Sequence, residues 1–473
     1  MSVSSEVEEL SVSYWHVLHL FRAIFLWCCF ATCQELSAYC FDSLRAELGA
    51  SLVETGLFAA TFPAGCTIGG AALSLLGDDF FSRRRLLLVS LCAAAALGLA
   101  AAQAMTLAAL FTLRLAQSVA WSVALTTTLV WYTEFLPRRG RGSFTNALSV
   151  GWPCGRQLII TLSSGAADAS DSPWRRLFLM NSGLFLVGAV LVKLAPESPR
   201  WLASTGDEGG AMRVLRTMGS RVAPMDGAGG EEAGTVNEAG PLVKGPLVNQ
   251  KGFDSPLCHF SSLRAVVGPR HRVFFTFAAA LMCSLSVTTV LLDNWGPRIF
   301  GQLMHGSTSP PLRTLAIFNA GDLCGIFVSI VAIDRIGRRG CFVVGFLVQG
   351  ALLACMVGFA RWPDPRDLMP RKHATLVTIG ALASATRCFG WEAANLWIVE
   401  VFPTHLRSTA LAAVSTCMRL ASSGTLALSG SLVGVLPPGA ALLTIATLQL
   451  ASGVMAVGLL PKETARLAMV EAY

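Results

Sequence analysis

Charge is what this sequence has least of. Of its 473 residues only 14% are Asp, Glu, Lys or Arg, against 53% hydrophobic, and mean hydropathy is +0.58. A soluble domain carries about 25% charged residues, so the composition excludes an ordinary soluble enzyme and a disordered chain alike. A Gly-rich phosphate loop ending in Lys-Ser/Thr is missing, which excludes direct ATP coupling as far as motifs can. The seven His are scattered, and no helix offers two ligands on one face beside a Cys or carboxylate pair; neither metal nor other cofactor is expected. No Asn-x-Ser/Thr sequon occurs, and Met1 to Ser13 is acidic and lacks a basic stretch, so the first apolar run reads as an uncleaved anchor.

What is there belongs in a membrane. Apolar stretches of spanning length fall into two sets of six, from Trp15 to Leu194 and from Val273 to Leu460, around a Gly-rich, charged segment at 196–270. The first run ends near Cys33 and the seventh covers Val273 to Leu292. The expected organisation is a six-helix half at 1–195, a cytosolic loop at 196–270 with an amphipathic piece around Ala211 to Val222, a second half at 271–460 and a tail at 461–473. Formal net charge is +7, but the cations are almost all Arg, clustered between apolar runs, so they report topology with both termini inside and not a nucleic-acid partner. Most of the 14 Cys lie in apolar runs and act as small hydrophobes. No structural disulfide is expected, Cys33 and Cys40 being the only plausible pair for one.

The two halves repeat. Asp79, Arg83 and Arg84 recur as Asp334, Arg338 and Arg339; Glu134 and Arg141 recur as Glu400 and Arg407; Pro196-Glu197-Ser198 is echoed by Pro461-Lys462-Glu463-Thr464. Two all-α halves related by pseudo-two-fold symmetry, with a site between them near the midplane, follow from such a repeat. Asp334-Arg335-Ile336-Gly337-Arg338-Arg339 sets one carboxylate and three guanidiniums in a tight turn where Gly337 can take an unusual backbone conformation. The alternative for this turn is a topogenic basic cluster and nothing more. Each Glu-(six residues)-Arg element straddles a helix end and the next helix start, as a two-state latch would.

These elements, with Pro196-Glu197-Ser198-Pro199-Arg200-Trp201-Leu202 and Glu400 to Arg407, resemble solute carrier family 22, the organic-ion transporters of the major facilitator superfamily. The likeness runs from the second helix onward; sugar porters of that superfamily share Pro-Glu-Ser-Pro-Arg and the basic turns. The resemblance implies a twelve-helix major facilitator fold and secondary transport by alternating access, with Asp79, Arg83, Arg84, Glu134, Arg141, Glu197, Arg200, Asp334, Arg335, Gly337, Arg338, Arg339, Glu400 and Arg407 gating one face. The chain is an atypical or orphan member on this reading. Phe80 and Ser82 stand where the family carries Arg and Gly, and the large loop between the first two helices is absent, with only Gln34 to Ser51 there.

Charges within the membrane point to the substrate, because each costs ~2.5 kcal/mol or more in lipid and should face a cavity or a partner. Arg419, with Ser415, Ser422 and Ser423 at helical spacing, makes a polar stripe. By the resemblance it falls where anion carriers have Arg and cation carriers Asp, which implies an anion; pairing with Glu392 or Asp322 for packing alone is the other reading. Arg387, Trp391 and Asn395 share one helix face, whereas Glu392 lies about 140° round from Arg387. Asp322 follows Asn319 by one turn; relatives carrying anions have a matching acid, but a basic residue where Ile326 stands here. Arg114 reads as structural, and Arg156 has mainly apolar helical neighbours and no assigned role.

The expected function is transport of a small organic anion, with a counter-transported anion as a further partner and a monomer in the plasma membrane. A cation or zwitterion carrier using Glu392 and Asp322, and a non-transporting receptor or scaffold, are the alternatives. The topology is checked by labelling Ser204→Cys and Ser307→Cys in intact cells. Only the second is expected to react from outside, and reaction of both overturns the orientation.

Overall fold

The computed structural model describes residues 3–76, 82–137, 144–145, 147–169, 172–219, 263–305, 312–361 and 369–460. Twelve long helices stand among the described residues: α1 Tyr14–Leu48, α2 Leu52–Leu76, α3 Arg83–Ala102, α4 Leu107–Thr133, α5 Gly151–Ala169 and α6 Pro173–Lys193 in the first half; α7 Arg272–His305, α8 Leu312–Ile333, α9 Arg335–Arg361, α10 Met369–Val401, α11 Thr404–Val435 and α12 Pro438–Gly458 in the second. Ten are long and apolar enough to cross a membrane. The other two, α5 and α10, carry charge within their length, Arg156 on one and Arg387 and Glu392 on the other.

Two sequence expectations are corrected. Helix α1 does not stop at Cys33; it continues to Leu48, ends on Gly49 at φ +66° and leaves only residues 49–51 before α2. Likewise α7 passes Leu292 and runs to His305. Cys33 and Cys40 are both free and buried on the one helix, where residues seven apart point along the same side but lie too far apart to bond. The amphipathic piece is the helix Glu208–Met218, capped by Asp207 and ended by Gly219 at φ +107°. Its Val214 and Met218 pack with Leu26, Leu87 and Trp131 beneath the first half.

Small residues let the helices approach. A Cβ on Gly151 or Gly155 of α5 would fall within 2.6 Å of Trp27 Cβ or 2.7 Å of Ala31 Cβ on α1. In the second half, Gly321 and Gly325 of α8 lie as close to the α10 backbone at Ala381 and Ala385. Such contacts replace the hydrophobic drive that lipid removes. The turn between α8 and α9 is made at Gly337, φ +75° and ψ 175°, a region L side chains rarely enter.

The halves meet at the face holding the 49–51 turn. There Gly56 of α2 abuts Gly430 of α11, where an added Cβ would lie 2.8 Å from the Gly430 nitrogen. The Phe41 and Trp295 rings are 4.9 Å apart, Trp295 Nε1 donates to Ser429 Oγ at 2.7 Å, and Arg298 pairs with Asp42 at 3.3 Å. One buried apolar cluster runs through both halves at this face. Toward the opposite face, which carries the Glu208–Met218 helix, the buried apolar residues divide into separate clusters for the first and second halves. The bundle is sealed on one side and parted on the other.

Gly325→Ala is expected to lower the unfolding temperature in detergent, overpacking of this kind costing about 1–3 kcal/mol. Gly424→Ala, whose new Cβ meets nothing within 4 Å, should be neutral or stabilising by up to about 1 kcal/mol. Equal effects at the two sites would refute the packing argument.

Candidate functional site

Five charged side chains from five helices converge at mid-membrane. Arg156 of α5 lies 3.2 Å from Glu35 Oε1 on α1, 2.5 Å from Asp293 Oδ2 on α7 and 2.9 Å from Asp322 Oδ2 on α8. Arg387 of α10 pairs with Asp293 Oδ1 at 2.7 Å and with Asp322. Side-chain exposure is 12% or less throughout. The Arg156–Glu35 pair is internal to the first half and both Arg387 pairs to the second; only the two Arg156–Asp pairs cross between halves. Planar guanidiniums suit such shared, forked geometry where a lysine would not.

This cluster is a partition. All five residues line a cavity of about 430 Å³ on the parted side, and all five line a smaller one of about 90 Å³ on the sealed side. Along each helix the order agrees: α10 gives residues 380–387 to the smaller cavity and 387–395 to the larger, and α8 gives 315–322 and then 322–326. Of the residues expected at the site, Arg419, Arg387, Trp391, Asn395, Glu392 and Asp322 line the larger cavity and Asn319 the smaller. Trp391 Nε1 donates to Thr289 Oγ1 at 3.1 Å, while Trp27, Trp121 and Trp152 add apolar wall.

The three cavity arginines are not equivalent. Arg156 and Arg387 are held by carboxylates. Arg419 Nη1 instead donates to the Cys66 carbonyl at 2.6 Å and to Ser122 Oγ at 2.9 Å, across the half boundary, and among the described residues it has no carboxylate partner. The packing alternative named Glu392 or Asp322 as its partner; Asp322 is taken by Arg156 and Arg387, and Glu392 stands beside Ser149.

The sugar (and other) transporter family matches residues 24–428. The chain belongs to that family. It is 25% identical to the putative metabolite transport protein YdjK of Escherichia coli over 63% of this chain and 62% of that protein. It is 28% identical to solute carrier family 22 member 12 of Mus musculus over 79% of this chain and 61% of that one. Both matches span less than two thirds of the relative's length. The partially occluded, inward-open xylose transporter XylE of E. coli superposes with a TM-score of 0.71 at 16% identity, covering 96% of this chain and 99% of XylE, which shows the major facilitator fold. The family is one of sugar and other transporters.

In this family member the face opposite the seal is organised by ion pairs inside each half. Arg83 Nε meets Glu134 at 3.3 Å and Arg338 Nη2 meets Glu400 at 2.5 Å, so each basic turn answers the Glu of its own repeat. The Glu-(six)-Arg partners were expected to be Arg141 and Arg407; Arg141, the Arg407 side chain, Asp79 and the Asp334 side chain lie outside the described residues. Ser82, in place of the turn Gly, caps α3 by accepting from Arg85 N and donates to Glu197, which also accepts from Arg84 N at 3.2 Å. Arg200 lies 3.6 Å from Glu8. Arg335 and Arg339 flank Gly337 on the same turn.

Sequence reasoning missed Glu35 and Asp293 and gave Arg156 no role. The first two sit just past the expected ends of helices one and seven, where they read as loop residues; the lack of any Gly or Pro from Gln34 to Leu48 was a signal for the first, whereas Pro297 masked the continuation of the seventh. Arg156→Ala would leave three buried carboxylates short of a partner, at a cost of about 3–5 kcal/mol. Loss of folded protein by size-exclusion and thermal unfolding is expected, with Arg156→Lys intermediate. A fully stable Arg156→Ala protein would show that the cluster does not hold the halves together.

Proposed function

We propose that this protein carries a small organic anion across the membrane by alternating access, with Arg419 as the anion anchor. One observation carries this reading: Arg419 lines the larger cavity with only neutral acceptors on Nη1, whereas the other two cavity arginines are already paired with acids. A guanidinium so placed keeps an unspent positive charge and the fork that suits a carboxylate or sulfate. Trp391 and the neighbouring tryptophans give an aromatic wall for an apolar body. Asn395 adds an amide, and Arg387 serves the partition in place of the supporting cation role expected from sequence.

The similarity to solute carrier family 22 member 12 and the repeated Glu-(six)-Arg elements support placement among the organic-ion carriers. With it come a monomer in the plasma membrane, cytosolic termini and exchange against a second anion. Glu392 supports a second reading. It lies in the same cavity without an Arg or Lys partner among the described residues, so a zwitterion could span Glu392 and Arg419.

Uptake of labelled anions, cations and zwitterions into proteoliposomes is the test. Arg419→Asp is expected to lower anion uptake at least about a hundredfold, since reversing a contact charge changes the interaction by several kcal/mol at an effective dielectric near 20. Arg419→Lys should keep the sign with weaker uptake. A folded Arg419→Asp protein with unchanged anion uptake overturns the anchor; loss of zwitterion uptake alone in Glu392→Gln favours the second reading. No uptake of any solute by the wild type would leave a receptor or scaffold.

A further inference from the structure

Three carboxylates face two guanidiniums in the partition, and they divide unevenly between the halves. Glu35 and Arg156 balance one another in the first. In the second, Asp293 and Asp322 share the single cation Arg387. When the halves meet, the partition holds one negative charge in excess, within side chains at most 12% exposed. An unbalanced carboxylate in such a place is costly, and conversion to the acid removes the cost.

A second observation points to the same ligand. Asn319, one turn before Asp322 and 7% exposed, donates from Nδ2 to the Pro153 carbonyl at 2.8 Å and to Gln157 Oε1 at 3.1 Å. Its Oδ1 is buried with no partner among the described residues, and the residue lines the smaller cavity together with all five charges. A buried acceptor without a partner calls for an N–H or O–H donor. A carboxylic acid on the partition supplies one, directly or through water, for which ~90 Å³ gives room.

The charged and titratable groups around the two aspartates are Glu35 and Tyr39 from α1, Arg156 from α5, and Arg387, Cys388 and Glu392 from α10. From α9 comes the uncharged Gln349, and Arg419 of α11 lines the larger cavity beyond them. Among the described residues no group of three His, Cys, Asp or Glu is disposed to hold a metal ion, and the guanidiniums already occupy the carboxylates.

We propose that Asp293 and Asp322 form the proton-coupling site of this transporter. With the partition open, a hydronium gives its proton to a carboxylate oxygen of the pair and leaves as water. The halves then close over two carboxylates, two guanidiniums and one acid. Because both aspartates also line the larger cavity, the acid can return its proton to a water there, and the restored excess charge favours reopening. The inference rests on the transport reading for its purpose, but the device operates without a substrate.

Hydrogen–deuterium exchange of the full chain in lipid nanodiscs, corrected for the intrinsic pH dependence of exchange, tests it between pH 5.5 and 8. Exchange around the 49–51 turn and the end of α7 is expected to slow as pH falls, by up to about tenfold per pH unit through the titration. Asp322→Asn and Asp293→Asn hold the neutral form, so at least one should stay sealed at every pH. Tyr39→Phe and Cys388→Ser should keep the wild-type response. A pH-independent wild type overturns the proposal, as do wild-type responses in both Asn variants, loss of the response in the Tyr39 or Cys388 variant, or sealing at pH 8 by added NaCl. Failure of both Asn variants to fold overturns it too, since the neutral form is the one it buries. Uptake assays decide the transport reading separately: a proton-sensitive seal in a chain that carries nothing would refute transport and leave this site standing.

Discussion

Arg156 reaching two carboxylates across the half boundary, while it holds a third within its own half, is the contact on which the rest depends. Its pairs with Asp293 and Asp322 tie α5 to α7 and α8, and the distances, 2.5 and 2.9 Å, leave no room for water between the charges. Buried ion pairs of this kind contribute little net stability over an apolar core, but half of one left alone is strongly unfavourable. The cluster therefore acts more as a condition than as glue: the two halves close in the register that gives each charged group a partner. The wall so formed gives the larger cavity its floor and separates it from the sealed face.

Two other arginines show how burial without an acid can lead to opposite outcomes. Arg114 is fully buried, donates to Gln117 Oε1 and the Cys33 carbonyl at 2.8 and 2.6 Å, and sits 4.7 Å over the Phe62 ring. Packing encloses it within the first half, where its charge is spread over neutral acceptors and a π face. Arg419 has acceptors of the same kind but borders open volume. The chemistry of the two is alike; access to a cavity separates a structural cation from one available to a solute.

The six-plus-six pattern and the repeat were legible because membrane helices announce themselves by length and apolarity, and because Gly337 and the basic turns punctuate each half alike. The residues lining the larger cavity, Arg419, Glu392 and Trp391 among them, were legible as intramembrane polar groups. Partnerships were not. Nothing at Arg156 indicates Asp293 or Asp322, which lie more than a hundred residues away and meet it only through the docking of the halves. Glu35 and Asp293 escaped because a carboxylate near the end of an apolar run looks like the start of a loop, and only continuation of the backbone through Leu48 and His305 places them inside. Arg338 answering Glu400 is likewise a property of how α9 and α10 pack, not of the spacing within either segment.

The three-residue connection between α1 and α2 governs how a solute first meets this protein from the sealed side. With no folded domain inserted there, the Asp42–Arg298 pair stands near the surface, the Asp42 side chain 45% exposed. A charged solute arriving from that direction is steered by the field of this single ion pair and its neighbours, which a bath of physiological salt screens within about 8 Å. Encounter on that side is then short-ranged and sensitive to ionic strength, and discrimination among solutes falls to the interior of the bundle.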